Sequence, residues 1–340
     1  MIYAAPNTPN PALAQQTQQT QILQTDLNAL ADRSVGDYFR GLKLRQYIQQ
    51  VIATNESRQV TTDVSIIDLQ TQRSIVGHNI DQEQFAASIN KIPIAQLVLN
   101  DLRSGRLQLN QQISWTSDEV REGSGVYDQP GAPMQASVQD LLFDMLNPSG
   151  NTAVRAFVNH ALGGAATVNQ RFTNELGLHH TALQILDATR FYVGNTNAKE
   201  ALQSMQKLLS GNDAYQQFVK HALATNIYTN FGVRSQLSGN PNILLVNKVG
   251  ILDDPDGNNR HDVGIVYNLK EGKAYGYAFL NTAPDLGGHP SEEVPTNQAG
   301  ISLADMGQAL LKFAGDKGTS PQTDHRALPA PQAERGRTAY

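Results

Sequence analysis

A chain of 340 residues is long enough for one large domain or two smaller ones, with a substantial buried core. Its 40% hydrophobic and 17% charged residues are a globular balance, and a net charge of -5 gives no reason to expect nucleic acid as a partner. The absence of cysteine excludes thiolate metal sites, redox pairs and disulfides, and no stretch approaches the roughly 20 apolar residues that span a bilayer.

Residues 1–36 are rich in Gln, Thr, Asn and Pro, too polar to offset the entropy of ordering, and read as a disordered linker. The start, Met1 to Pro6, has neither a basic nor an apolar region and is not an intact secretory signal. Leu44, Tyr47, Ile48 and Val51 then sit at helical spacing. Val60 to Leu69 and Arg73 to His78 read as two strands. From Ser88 to about Asn226 the chain reads as mainly helical, with helices at Ile89 to Leu102, Val138 to Leu146, Ala153 to Ala161 and Ala198 to Leu209. Strand signals return at Ile243 to Lys248, Asp262 to Asn268 and Ala274 to Asn281, and a last helix runs from Leu303 to Phe313. Residues 316–340 lack periodicity and read as a disordered tail. Strands at both ends with helices between them predict an α+β fold. Its antiparallel sheet (lobe residues 37–87 and 230–315) would be flanked by N- and C-terminal helices, with an inserted all-helical lobe (88–229) and a cleft between the two.

Three short motifs carry chemistry. Ser88-Ile89-Asn90-Lys91 opens an apolar helical stretch, Ser149-Gly150-Asn151 follows in a loop between helices, and Lys248-Val249-Gly250 lies in a strand. A serine hydroxyl is a weak nucleophile until its proton is removed, and Lys91 stands one helical turn from Ser88. The pattern suggests acyl transfer. Each motif alone is weak: Ser204 to Lys207 repeats the first, and Ser-Gly-Asn recurs at Ser210 and Ser238. Order and apolar context separate the functional copies from the polar ones.

With Phe85 to Pro93, Ser104 to Leu109, Gly123-Ser124-Gly125, Pro148 to Ala153, Leu162-Gly163-Gly164 and His261 to Tyr267 in family order, the chain resembles the penicillin-recognising serine hydrolases. It is most similar to the class A β-lactamase group, over residues 37–315. The resemblance implies that Ser88 is the nucleophile and Lys91 its base, provided burial and nearby positive charge favour the neutral amine. It implies that Ser149 relays a proton to the leaving nitrogen, and that Asn151 bonds Lys91 and the substrate amide. Lys248 would bind a substrate carboxylate. The N–H groups of Ser88 and Ile251, beside Gly250, would form the oxyanion hole, and Tyr127 would line the cleft entrance. The implied substrates are β-lactams or the D-alanyl peptides of cell wall, and the implied location is extracytoplasmic.

Three positions depart from the family. Gly150 replaces an aspartate that braces its loop. Val249 replaces a hydroxyl residue that touches the substrate carboxylate, a loss of about 1–3 kcal/mol. Asp187 stands where a glutamate activates the deacylating water, one methylene short, which predicts a slow release of the acyl group. Alternatives are a D,D-peptidase or transpeptidase-like enzyme, and a non-catalytic module that binds cell-wall peptide or a partner. The eight histidines form no His-Glu-x-x-His pattern, so neither a metal nor another cofactor is called for. Asp253 to Asn259 has the composition of a calcium loop without its spacing and reads as a hairpin turn, and His261 is a strand-end residue of open role.

Overall fold

A computed structural model describes residues 39–185, 191–237, 239–254, 257–284 and 293–315. The linker, the tail and Asp187 therefore lie outside the described residues. The centre of the fold is a five-stranded antiparallel sheet of β1 (Thr61–Asp68), β2 (Arg73–His78), β8 (Ile243–Asp254), β9 (Gly257–Asn268) and β10 (Lys273–Ala283), in the order β2-β1-β10-β9-β8. Chain segments from both ends thus close one sheet, with β8 at its edge.

Alternating side chains of each strand serve two cores. Tyr277 and Phe279 of β10, with Val64 and Ile66 of β1, face α1 (residues 39–57) and α8 (Glu293–Phe313), where Leu44, Ile48, Leu303, Met306 and Leu310 meet them. Ala278 and Leu280 turn the other way and join Val246, Val263 and Ile265 against the helical block. The last helix is longer than its apolar period predicts. Pro295 falls in its first turn, where an N–H has no intrahelical partner to lose.

The helical block holds α2 (Lys91–Arg103), α3 (Val138–Leu146), α4 (Asn151–His160), α5 (Ala165–Leu176), α6 (Ala198–Leu209) and α7 (Ala214–Ala224). Every residue of α2 except Asn100 and Arg103 is buried, so it is the core around which the others pack. The block also carries strands that helical periodicity did not indicate. β4 (Gln112–Ser114) pairs with β5 (Gln135–Ser137), and β3 (Gln84–Phe85), β7 (Phe191–Thr196) and β6 (Ala182–Ile185) form a three-stranded sheet in that order. β8 and β9 continue past their apolar halves through polar residues to a hairpin at Asp254 and Gly257, where Asp253 to Asn259 lies.

Candidate active site

Ser88 lies on a 3₁₀ turn, Ala87–Asn90, that precedes α2 instead of on the first turn of the α-helix itself. In that winding side chains three apart eclipse, so Ser88 and Lys91 project on one side. The turn is reached through Ala87 at φ 45°, a left-handed conformation that costs a non-glycine residue of order 1–3 kcal/mol. Surrounding bonds hold it. Ala86 donates its N–H to the Gly194 carbonyl at 2.7 Å, and Asn90 donates its side-chain amide to the carbonyls of Val193 and Asn195 on β7. On the other side β8 comes close: a Cβ added at Gly250 would lie 3.1 Å from Ile89 and 3.3 Å from the Ala86 carbonyl. Gly250 thus lets the strand carrying Ile251 approach the nucleophile turn. Ser88 is 7% exposed, and its hydroxyl makes no hydrogen bond among the described residues.

Lys91 is fully buried. Its Nζ donates to the Ser149 carbonyl at 2.5 Å, the Ser149 hydroxyl at 3.0 Å and Asn151 Oδ1 at 2.7 Å. Lys248, 1% exposed on β8, donates to the same hydroxyl at 2.8 Å. One serine oxygen therefore lies between two lysine nitrogens, drawn from segments 58 and 99 residues away. Ser149 is also left-handed, at φ 70°. Asn151 Nδ2 donates to the Glu122 carbonyl at 2.7 Å, so a substrate carbonyl would have to share that amide.

The Ser149 turn is braced by carboxylates from outside it. Asp128 accepts the N–H of Asn151 at 3.0 Å, of Thr152 at 2.8 Å and of Gly125 at 2.9 Å, and so caps the N-terminus of α4. Asp144, near the end of α3, accepts the Val126 N–H at 2.6 Å. A Cβ on Gly150 would fall 1.9 Å from Asp144 Oδ2, and one on Gly125 would fall 2.4 Å from the Gly150 Cα. Gly125 thus lets the Gly123 and Ser149 segments touch, and Gly150 leaves room for the Asp144 carboxylate. Burial pushes the Asp144 carboxyl up to about 6, with the Asp128 charge adding to it and the Val126 N–H and Lys91 opposing.

A match to the beta-lactamase enzyme family model spans residues 43–314. The chain belongs to the beta-lactamase enzyme family. Among curated proteins, the D-alanyl-D-alanine endopeptidase of Escherichia coli (strain K12) is 26% identical over 153 residues, 44% of this chain and 46% of that enzyme. This match therefore spans about half the length of its curated relative. Solved structures share the fold at low identity. A beta lactamase from Burkholderia vietnamiensis superposes with a TM-score of 0.65 at 22% identity, covering 80% of this chain and 97% of its own. A mutant of PBP-A, held as its acyl-enzyme complex with penicillin G, gives 0.65 at 20% identity, covering 80% and 96%.

Within this β-lactamase-family fold, other named residues fall at varying distances from the two lysines. Val249 is buried in the core beneath α1 and α8, so its side chain is turned to the opposite face of β8 from Lys248. Tyr127 packs edge-on against Trp115, ring centroids 5.4 Å apart, and joins the helical core. The stretch with Asp187 connects β6 to β7. Ser204 donates to the Glu200 carbonyl at 2.8 Å within α6, a helix-face serine.

Sequence reasoning passed over Asp128, Asp144 and Tyr228, and gave Ser124, within the Gly123-Ser124-Gly125 motif, no role of its own. Ser124 Oγ lies 2.7 Å from Tyr228 OH, and Lys248 Nζ sits 5.8 Å from the Tyr228 ring centroid. Nothing in their spacing marks them, although Gly123 and Gly125 on either side of Ser124 signal a close backbone approach. His261 proves to be a buried anchor. Its Nδ1 accepts the Asn281 N–H at 3.1 Å, so the proton is assigned to Nε2, which donates to the Phe85 carbonyl at 2.8 Å. Burial holds the imidazole down at about 4, so it is neutral at physiological pH.

Proposed function

We propose that the protein is a serine hydrolase that forms an acyl-ester on Ser88 with β-lactams or D-alanyl cell-wall peptides. The observation that carries this reading is the Ser149 hydroxyl held at 3.0 Å by Lys91 and 2.8 Å by Lys248. Lys91 donates three hydrogen bonds as an ammonium, so the scheme requires it to lose one proton to water before it can act as the base. Neutral Lys91 takes the Ser88 proton while the oxygen attacks the substrate carbonyl carbon. The N–H groups of Ser88 and Ile251 receive the oxyanion. As the C–N bond breaks, Ser149 gives its proton to the leaving nitrogen and regains one from Lys91. Lys248 and the neighbouring Tyr228 and Ser124 hydroxyls would receive a substrate carboxylate, and Asn151 the amide. The endopeptidase match supports the peptide substrate, and on this reading the working compartment is extracytoplasmic, where cell-wall peptide is met. We assign the catalytic domain to residues 37–315.

Release is the slow step of this scheme. In the sequence Asp187 stands where the family carries its deacylating glutamate, and an aspartate is one methylene shorter. Intact-mass spectrometry with a penicillin, followed over time, tests both halves. The expected result is one stoichiometric adduct that persists on the wild type and is absent from Ser88→Ala. An unmodified wild type at saturating penicillin would sink the proposal, while prompt loss of the adduct would overturn slow release alone.

A further inference from the structure

We propose that Asp144 is a positioning residue for Ser149, filling from α3 the place that a side chain at position 150 would otherwise occupy. The inference rests on the relay assigned to Ser149 above. It follows from how three segments meet. The Gly150 N–H bonds the Asp144 carbonyl at 2.8 Å, and the Asp144 side chain turns back over the same glycine. Its Oδ1 takes the Val126 N–H at 2.6 Å, while its Oδ2 lies 1.9 Å from a hypothetical Gly150 Cβ and 2.6 Å from a hypothetical Gly125 Cβ. The carboxylate is thus wedged between the Gly123–Gly125 segment and the Ser149 turn. Filling that wedge limits how far Ser149, already at φ 70°, can relax toward an ordinary conformation.

A carboxylate kept for stability alone would look different. Asp128, its neighbour, accepts backbone N–H groups with both oxygens. Asp144 leaves Oδ2 buried with no hydrogen-bond partner among the described residues, a costly arrangement for an acceptor. The groups that act on it are Asp128, Lys91 and the Val126 N–H, with Tyr127 also within electrostatic reach. An alanine here would relieve the buried oxygen but open a gap beside Gly150. Gly150 itself has φ -56° and ψ 129°, a conformation any residue adopts, and the nearest atoms to a side chain there belong to Asp144, its carboxylate closest.

The test is a swap in the full chain: Asp144→Ala, Gly150→Asp, the double variant, and Asp144→Asn, each titrated with penicillin to separate binding from the acylation step. Misplacing the Ser149 hydroxyl by about 1 Å is expected to slow acylation by about 10²-fold at saturating penicillin in Asp144→Ala. Gly150→Asp alone, with two carboxylates in one space, is expected to fall at least as far or to lose solubility. The double variant should regain most of the lost rate, and Asp144→Asn, which keeps the shape and the Oδ1 acceptor, should stay within a few-fold of wild type. Wild-type acylation in Asp144→Ala, or a double variant no faster than Asp144→Ala, would overturn the proposal. If the wild type itself takes no label, the acyl-enzyme reading fails separately. Amide exchange over Ser149 to Thr152 then decides: faster in Asp144→Ala and restored in the double variant supports positioning, and unchanged exchange in all four refutes it.

Discussion

The molecule contains the same four-residue spacing twice, Ser88 to Lys91 and Ser204 to Lys207, in chemically unlike settings. The first pair sits on a 3₁₀ turn entered through a left-handed alanine, and its lysine is fully buried against the Ser149 hydroxyl. The second lies in α6, where the Ser204 hydroxyl donates a hydrogen bond to the Glu200 carbonyl and Lys207 caps α5 at the Leu176 carbonyl. Helical spacing gives both pairs adjacency. Only the first has a third and fourth polar group brought in from distant chain segments, and that convergence separates a reactive serine from a helix-face one.

The largest expected effect breaks the comparison directly. Lys91→Met should slow penicillin acylation by about 10²–10⁴-fold, the range for loss of a positioned proton-transfer group. Lys207→Met should leave the rate unchanged, because its amine only completes a helix end. Burst kinetics with a chromogenic cephalosporin measure both. Equal losses in the two variants would mean that the Ser149 cluster has no special role.

Much of this contrast is legible in the sequence, and the illegible part has physical causes. The apolar run of α2 and the order of the three motifs follow from local composition. The alternation of Ala278 and Leu280 with Tyr277 and Phe279 does not read as polar and apolar, because both sheet faces are covered. β6 and β7 were hidden by the helical signals around them, and the far halves of β8 and β9 by their polar residues. Asp128 and Asp144 carry no motif: their roles depend on which backbone N–H groups the fold brings to them. Ala87 is a residue type with no preference for positive φ, so nothing local announces the strain beside Ser88. Motif position 150 is bare for a reason visible only in three dimensions.

A second contrast, between buried His261 and exposed His180, sets a pH test. His261 is held down at about 4 by burial, against an ordinary 6.5, so the unfolded chain binds its proton first as pH falls. Its contribution to stability is full above pH 6.5 and is lost between 6.5 and about 4, at most about 3 kcal/mol from the shift. His180, on the surface beside Glu83, is shifted upward and has the opposite sign: its contribution is present at low pH and lost as pH rises through its folded value. Asp63, Asp144 and Asp262 are raised by burial and also oppose His261 in this window, so the readout is the difference from wild type. Urea melts at pH 7.5 and 4.5 should show His261→Gln losing part of the acid-induced destabilisation. His180→Gln should not. Parallel curves for His261→Gln and wild type would reject the assignment.

The smallest expected effect concerns Val249, beside Lys248 on the same strand. A threonine has valine's shape and a hydroxyl, and the family pattern suggests that it would improve grip on a substrate carboxylate. The two side chains point to opposite faces of β8, and Val249 is 2% exposed among Val266, Tyr277 and Ile251. A hydroxyl placed there leaves water for a buried face opposite Asp262, whose carboxylate is already held by Asn247 and Tyr277. The expected cost of Val249→Thr is therefore about 1–3 kcal/mol of stability, with no gain in penicillin affinity. Thermal melts and the concentration dependence of acylation measure the two quantities. A tighter-binding variant of unchanged stability would show that position 249 reaches the cleft after all. It would then place substrate recognition on both faces of the strand instead of the Lys248 face alone.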